Sequence, residues 1–166
     1  KGVSHDSITV SLLDISVIRY SIVGNTDQNF TFNILPPGNS VATPSPVTKS
    51  NLYQIKADYL ILVFWDPSTE QGRDDVQQLY ALLQKLKSKN VFLLTMNTDF
   101  TKEGNQIWLE YMNKNKMPES VNASVTNVDF REVFEIPYPG TIYILDRSKK
   151  IIARKLMRDE VSKYLP

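Results

Sequence analysis

Tyr59-Leu60-Ile61-Leu62-Val63-Phe64-Trp65-Asp66-Pro67 is the stretch on which the fold turns. Its apolar part is far shorter than the ~20 residues a membrane span requires. A short, unbroken run of aliphatic and aromatic side chains describes instead a strand covered on both faces, as in the middle of a parallel or mixed sheet. Asp66-Pro67 stops it.

Downstream, the apolar spacing of Val76, Leu79, Leu83 and Leu86 predicts a helix over 70–89. Ser68 and Gln71 have the spacing of a capping box, and Asp74 and Asp75 suit the positive end of the helix dipole. Asn90–Met96 reads as the next strand. Thr101 can cap a helix to about Asn115 with Ile107, Trp108, Tyr111 and Met112 inward. A short strand over Val121–Val125 and a short helix from Thr126, with Asp129, Phe130, Val133 and Phe134, follow. Thr141–Leu145 and Ile151–Leu156 flank the polar turn Asp146–Lys150 and read as an antiparallel hairpin. A last helix, Arg158–Leu165, is expected to bury Val161 and Leu165.

Upstream the pattern is weaker. Asn29–Leu35 alternates, with Phe30, Phe32 and Ile34 on one face, as a half-buried strand does. Pro36–Ser50 carries Pro36-Pro37-Gly38 and Pro44-Ser45-Pro46 and reads as loop. Ser50–Tyr53 is one helical turn. Residues 8–23 form one or two strands, or a short helix around Leu12–Tyr20. The chain divides into a β-rich extension, 1–28, and one α/β domain, 29–166. The order β-α-β-α-(β)-α-β-β-α predicts a three-layer α/β/α sandwich on a mixed sheet.

Composition excludes several functions. The chain of 166 residues is 42% hydrophobic with net charge +1, ordinary values for a globular domain. No basic run interleaved with aromatics suggests nucleic acid, and no segment suggests a membrane span. No export signal stands at Lys1-Gly2-Val3-Ser4; processing removes such signals, so location stays open. There is no cysteine, which excludes thiol–disulfide chemistry and thiolate metal sites within this chain. The one histidine, His5, stands alone near the start, so neither a histidine metal site nor a Ser-His triad can be assembled. No metal and no cofactor is expected. Asp74-Asp75 and Asp159-Glu160 are sequence neighbours that diverge on a helix, and read as solvated faces rather than acid–base pairs.

Three stretches resemble one family. Asn29-Phe30-Thr31-Phe32 is similar to its first strand, Leu62-Val63-Phe64-Trp65-Asp66-Pro67 to its strand ending in Trp, and Tyr138-Pro139-Gly140-Thr141-Ile142-Tyr143-Ile144-Leu145-Asp146 to its Thr-Pro-Thr strand. The family is that of the TlpA/ResA-like thioredoxins of the bacterial cell envelope, relatives of the AhpC/TSA redoxins. The resemblance covers roughly residues 29–165 and implies a thioredoxin-like fold and a periplasmic or cell-envelope setting.

The family's motif is Trp-x-x-x-Cys-x-x-Cys, which puts Thr69 and Gly72 at the cysteine positions. Gly140 stands where the family has a cis-proline, with Pro139 shifted by one. In the family the first cysteine sits at a helix N-terminus that stabilises its thiolate, and the second resolves the mixed disulfide. Thr and Gly supply neither, and they point to natural divergence, since deliberate cysteine removal commonly introduces Ser or Ala.

The resemblance implies a degenerate member with no catalytic residue. Its old substrate groove would be formed by Trp65, Asp66, Pro67, Thr69, Glu70, Gln71, Gly72, Tyr138, Pro139, Gly140 and Thr141, and would take a protein or peptide partner. Trp65 and Asp66 either line this groove or pack and turn at the strand end; Thr69, Glu70 and Gln71 either contact a ligand or cap the helix. The other reading is an accessory domain of a larger envelope thiol–disulfide oxidoreductase whose cysteines lie outside this chain. A cysteine-free enzyme of another class would need a convergent set of titratable groups, which the sequence does not supply.

Overall fold

The computed structural model describes residues 31–34, 48–86, 89–99, 101–115, 120–125, 134, 136 and 139–166. Seven strands form one mixed sheet, in the spatial order β2-β1-β5-β4-β3-β6-β7. They are β1 (Thr31–Ile34), β2 (Thr48–Asn51), β3 (Tyr59–Trp65), β4 (Val91–Asn97), β5 (Ser120–Val125), β6 (Thr141–Asp146) and β7 (Ile151–Leu156). Helix α1 (Glu70–Lys85) joins β3 to β4, and α2 (Lys102–Lys114) joins β4 to β5. Short 3-10 segments cover Leu52–Gln54 and Arg158–Tyr164.

The apolar run at 59–65 owes its composition to its place. β3 pairs in parallel with β4 and antiparallel with β6, so both of its edges are closed. Its faces are covered too, and Leu60 through Trp65 are all fully buried. Complete burial of such side chains stabilises the fold by roughly 1.5–3 kcal/mol each. Their alternation divides the core. Leu60, Leu62 and Phe64 join Phe32, Leu52, Leu94, Phe134 and Tyr143 on one face. Ile61, Val63 and Trp65 meet Val76, Leu79 and Leu83 of α1, Trp108 and Met112 of α2, and Val161 on the other. The parallel steps β3→β4→β5 run in one direction across the sheet. Crossovers of the same hand therefore place α1 and α2 on the same face.

Several boundaries differ from the sequence reading, each for a local reason. Thr48–Asn51 is a strand paired with β1, not loop; short, polar edge strands carry no apolar signal. The turn expected at Ser50–Tyr53 is the 3-10 segment Leu52–Gln54, capped by Asn51. α1 ends at Lys85 rather than at residue 89, with Leu86 as its C-cap. Its N-cap is Thr69, not Ser68. Asp74 and Asp75 lie beyond the first turn, where Glu70 is the acidic residue. Ile107 is 38% exposed rather than inward. The C-terminal segment is 3-10, and it buries Val161 while Leu165 is only partly covered. The hairpin β6–β7 forms as expected, with a register shift near its middle. Residues 1–28, Phe30, and the helix expected from Thr126 apart from Phe134 lie outside the described residues.

Helix α2 shows how one side chain starts an element. The Thr101 hydroxyl accepts the Gly104 N–H at 3.0 Å and donates to the Asp99 carboxylate at 2.7 Å. Thr101→Ala removes both and is expected to cost about 1 kcal/mol. The readout is a lower urea midpoint with an unchanged slope; an unchanged midpoint would show that another group takes over the cap.

Candidate functional site

The site lies where β3 gives way to α1. The Asp66 carboxylate accepts the Ser68 N–H at 2.8 Å and the Ser68 hydroxyl at 2.6 Å, which curls the chain at Pro67. Thr69 then uses its hydroxyl in both directions. It donates to the Asp66 carbonyl at 2.9 Å and accepts the Gly72 N–H at 3.1 Å. Arg73 reaches back to the carbonyls of Pro67 and Ser68, at 2.8 and 3.0 Å. The turn is thus pinned to the first turn of its own helix.

Gly72 is buried, and a Cβ there would meet the Asp66 carbonyl oxygen at 2.5 Å and the Thr69 hydroxyl at 2.8 Å. Both distances are below ordinary contact, and the first is to backbone. The turn has closed over the position that the resemblance assigns to a second cysteine.

Gly140 approaches from β6. Its N–H donates to the Phe64 carbonyl at 2.6 Å and its φ is +94°. A proline has no N–H and holds φ near −65°, so this backbone cannot carry the proline that the family has there.

Beyond these residues a cleft of about 310 Å³ opens between Gln71 and Asp75 of α1, Pro139-Gly140, and Met157-Arg158-Asp159. Arg158, in its lining, donates to Asp74 at 2.7 Å and to Asp75 at 3.3 Å. Gln71 donates to the same Asp75 oxygen at 2.8 Å. Met157 stands on the rim, 60% exposed.

The residues expected to form one groove are therefore divided. Gln71, Pro139 and Gly140 line the cleft. Thr69 and Glu70 are exposed beside it, with Thr69 committed to capping. Asp66 is half-buried and shapes the turn; Pro67, Gly72 and Thr141 are buried. Trp65 is fully buried, packs edge-on to Tyr111 at 5.4 Å, and contributes no surface. Tyr138 lies outside the described residues. Asp75, Met157, Arg158 and Asp159 were not anticipated. Only folding brings residues 157–159 to α1, and no local pattern marks them.

Chemically the cleft can hold a ligand, but it offers no activated nucleophile. The Thr69 hydroxyl is engaged twice, and the Asp74 and Asp75 carboxylates both face Arg158. Tyr111, whose hydroxyl donates to the Arg73 carbonyl at 3.1 Å, has its pKa raised above the usual tyrosine value. Burial is the main cause, and a hydrogen bond with Gln77 and the charge of Arg73 only partly offset it. It stays a neutral phenol at physiological pH. Among the described residues no three His, Cys, Asp or Glu side chains gather as a metal site would require. Nor is any helix among them long and apolar enough to cross a membrane.

No protein-family model and no curated protein matches this chain. Solved structures do. A thioredoxin-like protein from Bacteroides caccae superposes with a TM-score of 0.72 at 17% identity, over 98% of this chain and 55% of that one. The chain thus spans about half the length of that protein. The thioredoxin domain of a thiol-disulfide oxidoreductase from Bacteroides vulgatus matches with a TM-score of 0.66 at 18% identity, over 87% and 99%. A domain of a possible thiol-disulfide isomerase from Cytophaga hutchinsonii matches with a TM-score of 0.66 at 22% identity, over 86% and 90%. The chain has the thioredoxin-like fold of these proteins, and it has no cysteine.

Proposed function

We propose that the chain is a thioredoxin-like module that has left redox catalysis and binds an extended peptide or protein segment in the bacterial cell envelope. One observation carries this reading. The cleft beside α1 is open, with exposed Met157 and Pro139 on its rim, while the position of the second cysteine is closed by the Asp66 carbonyl. An open cleft beside a sealed reaction centre suits retention of a binding surface after loss of the chemistry. Met157 supplies an adaptable apolar contact, and Gln71 and Arg158 supply polar ones.

The test has two arms. The purified chain should not accelerate insulin reduction by dithiothreitol. Peptides selected on it from a displayed library should bind Met157→Glu about 10-fold more weakly, through loss of the apolar contact. Insulin turnover, or peptides indifferent to Met157→Glu, would overturn the reading.

A second reading has one observation in its favour: the chain spans 55% of the Bacteroides caccae protein. It makes the chain an accessory domain of a larger envelope thiol–disulfide oxidoreductase with cysteines elsewhere. The full gene decides it, since an encoded product with no cysteine domain removes this alternative.

A further inference from the structure

At the opposite end of β3 from the cleft, roughly 20 Å away along the strand, a second pocket of about 300 Å³ opens beside the β6–β7 turn. Lys149 is the unusual residue in its lining. The lysine is only 2% exposed although it carries an ammonium group. Buried lysines are rare unless paired. Its main-chain N–H closes the turn onto the Asp146 carbonyl at 2.9 Å, at φ +67°, so the backbone fixes where the side chain starts.

Two further cations share the pocket. Lys56 donates to the Tyr53 carbonyl at 3.1 Å and lies near enough to repel Lys149. Arg147 lies 3.8 Å from Asp58, a long and exposed pair that leaves most of its guanidinium free. Three cations therefore face one lining carboxylate. The nearby Asp146 carboxylate is occupied by the turn, accepting from the Ser148 N–H, the Ser148 hydroxyl and the Lys150 N–H at 2.8, 2.7 and 3.0 Å. Burial, with repulsion from Lys56, holds the Lys149 pKa below the usual lysine value, and Asp146 only partly opposes them. On one side stands the Tyr53 side chain, 41% exposed.

We propose that this pocket binds a small organic anion, its phosphate or carboxylate group held by Lys149, Lys56 and Arg147 and its apolar body against Tyr53. An oxyanion between Lys149 and Lys56 would accept charge-assisted hydrogen bonds from both ammonium groups and relieve the repulsion between them. The volume suits a single-ring molecule rather than a polymer segment. This site is independent of the cleft proposed for peptides.

Amide NMR of the intact, isotope-labelled chain tests it, with phenyl phosphate, benzoate and inorganic phosphate as probes. Phenyl phosphate or benzoate should shift the amides of residues 53–58, 90 and 147–149, and should bind more tightly than inorganic phosphate. Lys149→Met should weaken that binding about 10-fold or more. Lys56→Gln, at an exposed position that leaves the fold intact, should weaken it about 3-fold. Absence of shifts at about 20 mM of both organic probes, or affinities unchanged in Lys56→Gln, overturns the site. Equal affinity for inorganic and phenyl phosphate overturns the apolar part of the assignment.

Discussion

Gly140→Pro should cost the protein about 3 kcal/mol or more, and at that size it is expected to leave much of the chain unfolded. Two independent losses add. The N–H that donates to the Phe64 carbonyl at 2.6 Å disappears, and that hydrogen bond is lost at the buried end of β3. The φ of +94° lies where proline cannot go, so the segment leading into β6 must move. Gly140→Ala separates the two causes. It keeps the N–H, and among the described residues its Cβ would meet nothing closer than an Asp75 oxygen at 3.7 Å. Only backbone strain remains, about 1–2 kcal/mol. Urea titration of both variants checks the order. A Gly140→Pro protein as stable as the parent would show that this backbone readily takes the form the family's proline requires.

The second large effect is a failed rescue. Thr69→Cys with Gly72→Cys rebuilds the Cys-x-x-Cys spacing at the positions the resemblance indicates, yet it should lose about 2–4 kcal/mol and reduce no insulin. Thr69→Cys removes the N-cap oxygen, worth about 1 kcal/mol. Replacing Thr69 clears one of the two close approaches to a Cβ at position 72. The other, 2.5 Å from the Asp66 carbonyl, is backbone held by the Asp66–Ser68 turn and by Arg73. Relief requires the turn itself to shift, a strain of about 1–3 kcal/mol. Gly72→Ala alone reports that strain, set against the gain in helix propensity of up to about 1 kcal/mol that alanine brings. A doubly substituted protein that is stable and turns over insulin would mean that two side chains alone silenced an intact reaction centre. The proposed peptide-binding role would then lose its structural argument.

The elements most legible in the sequence were those whose neighbours are close or whose environment is uniform. The run at 59–65 announced a strand buried on both faces because closed edges and two covered faces admit only apolar side chains. Thr101 was readable as a cap because the cap and the N–H it accepts are three residues apart. Ser68 was misread for an equally local reason. Ser68 and Thr69 both suit an N-cap, and the choice fell to Asp66, whose carboxylate engages Ser68 and leaves Thr69 to the helix. β2 was missed because Thr48–Asn51 has a polar sequence and owes its strand form to β1.

By itself the sequence determined the absence of thiol chemistry, since no arrangement of a chain without cysteine supplies a thiolate. It also determined the α/β order, because hydrophobic period and turn residues are local signals, whereas the expected groove came only from the family resemblance. Tertiary structure alone decided what that groove contains. Trp65 went to the core because β3 is central and both its faces are covered. Gly72 came under the Asp66 carbonyl because the turn folds back onto its own helix. Arg158 met Asp74 and Asp75 across more than eighty residues of chain. Lys149 came to line a pocket with Lys56 and Arg147 because a hairpin turn at φ +67° placed it there. Contacts of this kind depend on where distant segments come to rest, and no window along the chain encodes that.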